Sequence, residues 1–159
     1  MLIKEFDLMI SHNQIRLENT PYREDYCDWG KVNIELGALI FENFVSFDPL
    51  PDDAFGAKVS IYLEDNHDLN SDIQRSIKVP FKYSSKEKLY IASAFEKYEI
   101  DINIDSGVYE LYFDILELEE ICYNFTLIKV NDEKIVTAEY IMNDDFGGIK
   151  GKTIPIGRL

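Results

Sequence analysis

The residues best suited to chemistry lie in an acidic stretch where Asp68, Asn70 and Asp72 stand two positions apart. Oxygen ligands at these offsets match the first, third and fifth positions of a helix–loop–helix calcium loop. The rest of that loop does not fit, because Ile73 stands where the turn glycine belongs and Val79 where the bidentate glutamate belongs. The simpler interpretation is a solvated loop between two strands. A β-sandwich that collects calcium between acidic end loops stays open as an alternative.

Catalytic motifs are poorly supported. A nucleophilic site needs a base such as histidine beside Ser, Cys or Thr, and the chain has two histidines, His12 and His67. His12 follows Ser11 in a predicted strand, where neighbouring side chains point to opposite faces. Residues 147–153 end in Gly-Lys-Thr but lack the first glycine of a phosphate loop. We therefore predict no enzyme, no cofactor and no metal.

A carbohydrate enzyme with two carboxylates is a further alternative, although no spacing among the thirty acids singles out a pair. The distribution of those acids is more informative. Residues 42–72 carry eight acids and one lysine, a net charge of −7, and residues 96–120 carry nine acids and one lysine, a net charge of −8. The whole chain carries −14, so the remainder sums to +1. If the fold joins the two segments, they form a surface suited to a basic partner and repelled by nucleic acid.

The elements that position these residues are mostly strands, because apolar and polar side chains alternate along much of the chain. Proline at position 80 indicates that its strand lies at an edge of a sheet or carries a bulge. Asp28 as N-cap and Gly37 as the end predict one short helix near residues 29–36. The predicted strands are 5–18, 38–47, 58–64, 76–82 and 88–94, and the predicted hairpins pair 98–104 with 108–113 and 123–127 with 135–141.

These elements predict an all-β protein, an antiparallel β-sandwich of about eight or nine strands. A length of 159 residues predicts a single domain over 1–159. Cys27 and Cys122 are expected to be reduced thiols. The first residues interrupt their apolar positions with charge, and no apolar run reaches membrane-spanning length. We therefore expect no signal peptide, no membrane span and a cytoplasmic location.

Five pieces of the sequence follow one another in a characteristic order: Ile10-Ser11-His12-Asn13-Gln14, Asp28-Trp29 before the helix ending near Gly37, Val45-Ser46-Phe47-Asp48, Ile77-Lys78-Val79-Pro80-Phe81, and Ile100-Asp101-Ile102 with Gly107-Val108-Tyr109-Glu110-Leu111. Over roughly residues 5–118, this order and spacing resemble the competence protein J family. The resemblance implies a small acidic protein that inhibits a bacterial DNA-entry nuclease. The part beyond residue 120 lies outside the resemblance, which leaves room for a different partner.

Charge and resemblance together predict an acidic, non-catalytic bacterial protein that binds and inhibits a nuclease. It would present carboxylates to the enzyme's basic nucleic-acid-binding surface. A calcium-dependent sandwich that binds a ligand or a membrane is the alternative. Tyr62 and Tyr112 are candidate aromatic anchors if their rings face outward. The predicted partner-binding residues are Asp48, Asp52, Asp53, Glu64, Asp65, Asp68, Asp114, Glu117, Glu119 and Glu120.

Overall fold

The computed structural model describes residues 1–51 and 55–159, so the predicted site residues Asp52 and Asp53 lie outside the described residues. The described chain contains eleven strands, one α-helix and one 3-10 turn at Glu24–Cys27. In chain order the strands and the helix are β1 (Leu2–Ile10), β2 (Ile15–Glu18), α1 (Lys31–Leu36), β3 (Ala38–Ile40), β4 (Phe44–Phe47), β5 (Phe55–Leu63), β6 (Ile73–Tyr83), β7 (Leu89–Ala92), β8 (Lys97–Ile100), β9 (Gly107–Glu117), β10 (Ile121–Lys129) and β11 (Glu139–Tyr140).

The strands form two sheets, which confirms the predicted all-β sandwich. The large sheet has the order β1-β5-β10-β9-β6-β11, and the small sheet has the order β3-β4-β2-β7-β8. All pairs are antiparallel except β5 with β10. Apolar side chains from both sheets share one core, in which the Phe47 ring of the small sheet stacks on Phe113 of the large sheet at 4.3 Å. Burial of such aromatic rings is a main source of the sandwich's stability.

Both predicted hairpins are wrong. The strand predicted over 98–104 ends at Ile100, and β8 pairs with β7. Strand β9 instead pairs with β6 and with β10. The residues around 135–141 contribute the short β11, which pairs with β6 rather than with β10. Alternation identifies a strand from local sequence but carries no information about which distant strand it pairs with.

The predicted strand over 5–18 is interrupted by a tight turn. His12 and Asn13 have φ angles of 55° and 52°, in the left-handed region. They separate β1 from β2, so His12 is not a strand residue. The predicted strand over 38–47 divides in the same way into β3 and β4. These divisions account for the larger number of strands.

The predicted helix is present as α1, but Asp28 is not its N-cap. Gly30 occupies that position, and its N–H donates to Asn33 Oδ1 at 3.0 Å. Asn33 Oδ1 also accepts the backbone N–H of Leu159 at 2.8 Å, which fastens the C-terminal end of the chain to the helix. Asp28 instead forms an ion pair with Arg158. Gly37 ends the helix in the left-handed conformation, as predicted.

Strand β6 is not the edge strand predicted from Pro80, since β11 lies beyond it in the large sheet, but β11 is too short to reach Pro80. Strand β11 covers only Ile77 and Lys78, so Pro80 lies beyond it. The Lys82 N–H donates to Glu42 O, away from β9. Backbone nitrogens two residues apart in a strand point to the same side of that strand. The nitrogen of Pro80, two residues before Lys82, therefore also faces away from β9. The proline therefore removes no hydrogen bond from the β6–β9 ladder.

The connection between β5 and β6 determines where the candidate site forms. These strands are separated in the sheet by β10 and β9. The connecting residues 64–72, called here the crossover loop, pass over the outer face of the large sheet, the face turned away from the small sheet. No helix in the described part of the chain has the length and apolar character to span a membrane.

Candidate functional site

The site is built on a polar row that runs across the outer face of the large sheet. Ser60, Asn124, Asp114 and Ser76 lie side by side on β5, β10, β9 and β6. Residues directly opposite one another in neighbouring strands share a face, so these four side chains emerge together. Asp114 and the two serines are nonetheless buried, because the crossover loop covers this part of the sheet.

His67 fixes the crossover loop to the sheet. Its Nε2 forms a hydrogen bond with Asp114 Oδ2 at 2.8 Å. The imidazole also stacks on the Tyr112 ring, with centroids 4.0 Å apart and planes 8° from parallel. The His67 and Asp114 side chains are 6% and 5% exposed. Burial, together with nearby acids, raises the pKa of Tyr112 to about 12, so its phenol stays neutral at physiological pH.

A pocket of about 320 Å³ lies between the crossover loop and the sheet. Three carboxylates from the two acidic segments line it, Glu64 and Asp68 from the loop and Asp114 from the sheet. Its other lining residues are Tyr62, Asn66, His67, Asn70, Ile73, Asn124 and Thr126. We call this the carboxylate pocket. Carboxylate, amide and hydroxyl oxygens are acceptors, and Lys or Arg side chains carry only donors, so the lining matches a basic side chain.

The carboxylates of this pocket are not arranged as a metal site. Among residues 1–51 and 55–159, no group of three or more His, Cys, Asp or Glu side chains could hold a metal ion. Asn70 Oδ1 accepts the backbone N–H of Asp72 at 2.9 Å, which gives this part of the loop a local turn. Calcium needs oxygens converging at about 2.3–2.6 Å, whereas a guanidinium can reach acceptors that are farther apart.

The turn between β9 and β10 adds a second acidic surface next to the pocket. Residues 117–120, called here the hairpin tip, are all exposed and contain Glu117, Glu119 and Glu120. The Glu117 N–H donates to Asp72 O at 3.2 Å, so the end of the crossover loop meets the tip. Leu118 is 51% exposed between these acids. The tip thus presents one apolar side chain surrounded by carboxylates.

The remaining predicted site residues differ in exposure. Asp65 is exposed, and Glu64 forms an ion pair with the amino terminus of Met1. Asp48 is partly buried, and its Oδ1 accepts the Leu50 N–H at 2.8 Å, so it shapes its own loop. Asp114 is 4% exposed, so it lies beneath the surface rather than on it. The alternation of β9 faces Asp114 outward, as predicted, but the crossover loop covers it, and its part in partner binding stays a prediction.

The acidic segments are only partly brought together. Glu96 accepts the Met9 N–H at 3.0 Å, at the edge where β8 and β1 meet. Asp105 lies just before the start of β9, whereas the hairpin tip lies at the other end of this strand. Strand β9 is 11 residues long, roughly 35 Å at about 3.3 Å per residue. Acidic charge therefore lies at both ends of the large sheet, with three carboxylates around the carboxylate pocket.

Of the two predicted aromatic anchors, Tyr62 is the accessible one. Tyr62 and Tyr112 both lie on the outer face, on either side of Thr126. Tyr62 lines the carboxylate pocket, while Tyr112 is covered by His67. The role of His67 was missed in the sequence. Its hydrogen-bond partner, Asp114, is 47 residues away in the sequence. A lone histidine in a polar loop gives no local indication that it contacts a distant strand.

Replacing His67 with alanine should release the crossover loop. In the closed state Asp114 would be buried without its hydrogen-bond partner, which costs about 1–3 kcal/mol and so favours opening of the loop. We expect backbone amides of residues 65–72 to exchange with solvent at least tenfold faster, measured by hydrogen–deuterium exchange with mass spectrometry. His12→Ala is the matched control, because His12 is exposed in the β1–β2 turn. Equal protection of the loop in both variants would show that His67 does not hold it.

The fold and the site define an all-β sandwich whose loops present carboxylates around a pocket and a turn. Residues 7–128 match the family model Competence protein J (ComJ). The match covers more than half of the chain, so the chain belongs to the competence protein J family. The resemblance stated from the sequence is thereby confirmed, and the family region extends through the hairpin tip to Ile128, one residue before the end of β10.

A search of curated proteins finds no match. Among solved structures, the fold matches the crystal structure of ComJ, inhibitor of the DNA degrading activity of NucA, from Bacillus subtilis. The TM-score is 0.66 at 18% sequence identity, and the match covers 82% of this chain and 98% of that chain. At this identity the likeness establishes the shared fold.

Proposed function

We propose that this chain binds a basic nuclease and inhibits its degradation of DNA, without catalytic activity of its own. The observation that carries the proposal is the family match over residues 7–128, together with the inhibitor described for the structurally similar ComJ. The matched residues include β5, the crossover loop, β9 and β10, which build the carboxylate pocket and the hairpin tip.

The charge of these surfaces supports this function. A nuclease holds its polyanionic substrate with cationic side chains, and carboxylates on an inhibitor attract the same side chains. We propose that the carboxylate pocket receives a Lys or Arg side chain of the enzyme, with Tyr62 packing beside it. Asp65 and the acids of the hairpin tip would contact the surrounding basic surface. Asp114 would contribute charge from beneath, and Asp48 would hold the neighbouring loop in shape.

We propose the cytoplasm as the compartment in which the chain acts. In this account the protein acts by occupying the surface through which the enzyme approaches DNA. Strong opposite charge on the two partners raises the association rate to about 10⁸ M⁻¹s⁻¹ or more at low salt. The interaction should therefore weaken as the salt concentration rises.

The test is a DNA-degradation assay with the purified chain and a purified NucA-type nuclease from the same host. We expect activity to fall to near zero at a one-to-one molar ratio in 50 mM salt, with a weaker effect at 500 mM. An acidic protein of similar size and an unrelated fold serves as the control for nonspecific charge effects. Full nuclease activity at a tenfold excess of the chain at low salt would overturn the proposal.

A further inference from the structure

An apolar groove of about 260 Å³ lies beside the hairpin tip, at the same end of the sandwich. Ile115 and Ile121 form its floor at the end of β9 and the start of β10. Leu50, between Pro49 and Pro51, forms one wall, and the Phe146 ring forms another. Glu117 of the hairpin tip lies at its edge, so apolar surface and carboxylate charge meet there.

The wall that contains Leu50 is held in shape by hydrogen bonds. The Tyr123 hydroxyl donates to Pro49 O at 2.9 Å from within the core. The Leu50 N–H donates to Asp48 Oδ1, and Leu50 itself has a φ angle of 80°. A non-glycine residue in this region persists only when its surroundings determine its conformation. The groove is therefore largely formed before any partner arrives.

Phe146 is held by a buried ion pair. Arg75 Nε donates to Asp144 Oδ2 at 2.8 Å, and Arg75 Nη2 donates to the Phe146 carbonyl at 2.9 Å. Asp144 Oδ1 in turn accepts the Phe146 N–H at 2.8 Å. The Arg75 and Asp144 side chains are 2% and 0% exposed, whereas Phe146 itself is 49% exposed. A buried pair thus fixes the backbone of a residue whose ring faces the surface.

Residues 129–159 lie beyond the family match, and Phe146 is among them. The floor of the groove and its Leu50 wall belong to the matched region, so a segment outside that region completes a surface built inside it. Partner surfaces concentrate their affinity in a central apolar contact within a charged rim. The acids beside the groove select a basic partner by charge complementarity.

We infer that Phe146 is a specificity-determining contact of the proposed inhibitor, packing against an apolar side chain of the nuclease that is flanked by basic residues. This inference rests on the proposed function. Under this inference, residues 129–159 determine which nuclease the chain recognises. The acidic residues attract any basic partner and therefore do not discriminate between nucleases. Arg75 and Asp144 position Phe146 without contacting the partner.

The test is surface plasmon resonance with the full chain and the NucA-type nuclease of the same host. Phe146→Ala should raise the Kd about tenfold, mainly through faster dissociation, because the lost contact is apolar. Phe146→Leu should recover most of the affinity, since it keeps an apolar group in the groove. Ile149→Ala is the matched control, because Ile149 is 58% exposed in the same segment and does not line the groove.

The outcomes separate the inference from the function on which it rests. If the unmodified chain does not bind the nuclease, the proposed function fails. If it binds but Phe146→Ala changes the Kd less than twofold, the function stands and the inference is overturned. An equal loss in Phe146→Ala and Ile149→Ala would also overturn it, since the effect would then not come from the groove. Unchanged melting temperatures of all three variants would confirm that they are folded.

Discussion

Asp144→Ala is expected to lower the free energy of unfolding by about 3–5 kcal/mol, because it leaves the buried Arg75 guanidinium without its counter-charge. Asp144 also accepts the backbone N–H groups of Phe146 and Gly148, which lose their partner in the variant. Domains of this kind have a total stability of about 5–15 kcal/mol. The loss should be measured by urea denaturation at pH 7.

The matched control is Asp145→Ala, the neighbouring exposed acid, for which we expect a change within about 0.5 kcal/mol. Arg75→Met in the Asp144→Ala background should recover part of the stability, because it removes the unpaired charge. A loss below about 1 kcal/mol for Asp144→Ala would show that the pair contributes little to folding.

The same pair predicts an acid dependence of stability. Burial raises the pKa of Asp144, but the hydrogen bonds from Arg75, Gly148 and Phe146 outweigh it and hold the pKa below the ordinary value of 3.8. The stabilisation is therefore fully present above that ordinary value and is lost as the pH falls below it, through the lowered pKa. Asp144→Ala should lack this component, so the stability difference between the variant and the unmodified chain should narrow as the pH falls.

The second large effect is expected at the hairpin tip. Replacing Glu117, Glu119 and Glu120 together with lysine shifts the net charge by +6 and creates like-charge contacts with a basic nuclease. We expect the association rate at 50 mM salt to fall about 100-fold, since steering fields of this kind change rates by about 10–1000-fold. Stopped-flow fluorescence with labelled nuclease would measure it. Raising the salt to 500 mM should reduce the difference in association rate between the triple variant and the unmodified chain, because exposed charges are screened.

The control makes the same change in net charge elsewhere. Glu24, Glu87 and Glu133 are exposed and lie outside both acidic segments. Their replacement with lysine should slow association far less if the hairpin tip is the contact surface. Equal slowing by the two triple variants would mean that overall charge, and not this surface, attracts the nuclease.

The sequence was informative wherever structure follows from local pattern. Alternation located the strands around Val59 and Val79, and Gly37 located the helix end, because side-chain periodicity and backbone conformation are properties of a few adjacent residues. The family could be identified for the same reason, since it depended on short pieces in a fixed order. Strand pairing could not be predicted from local pattern, and both predicted hairpins joined strands that are not neighbours in the sheets.

In the candidate site, too, the sequence predicted the residue types and only the fold determined their arrangement. Its acids could be listed from composition, and Glu64 and Asp68 do line one pocket. Their arrangement depended on the crossover loop, which passes over the sheet because β10 and β9 separate β5 from β6. That passage buries Asp114 beneath His67, which no alternation pattern could reveal.

The sequence by itself determined an acidic all-β member of the competence protein J family. Only the tertiary structure decided that His67 covers Asp114 and that the buried Arg75–Asp144 pair places Phe146 beside the hairpin tip. These pairs join residues 47 and 69 positions apart. Contacts at such separations form when whole sheets pack, so the free energy that selects them belongs to the assembled core and not to any one segment.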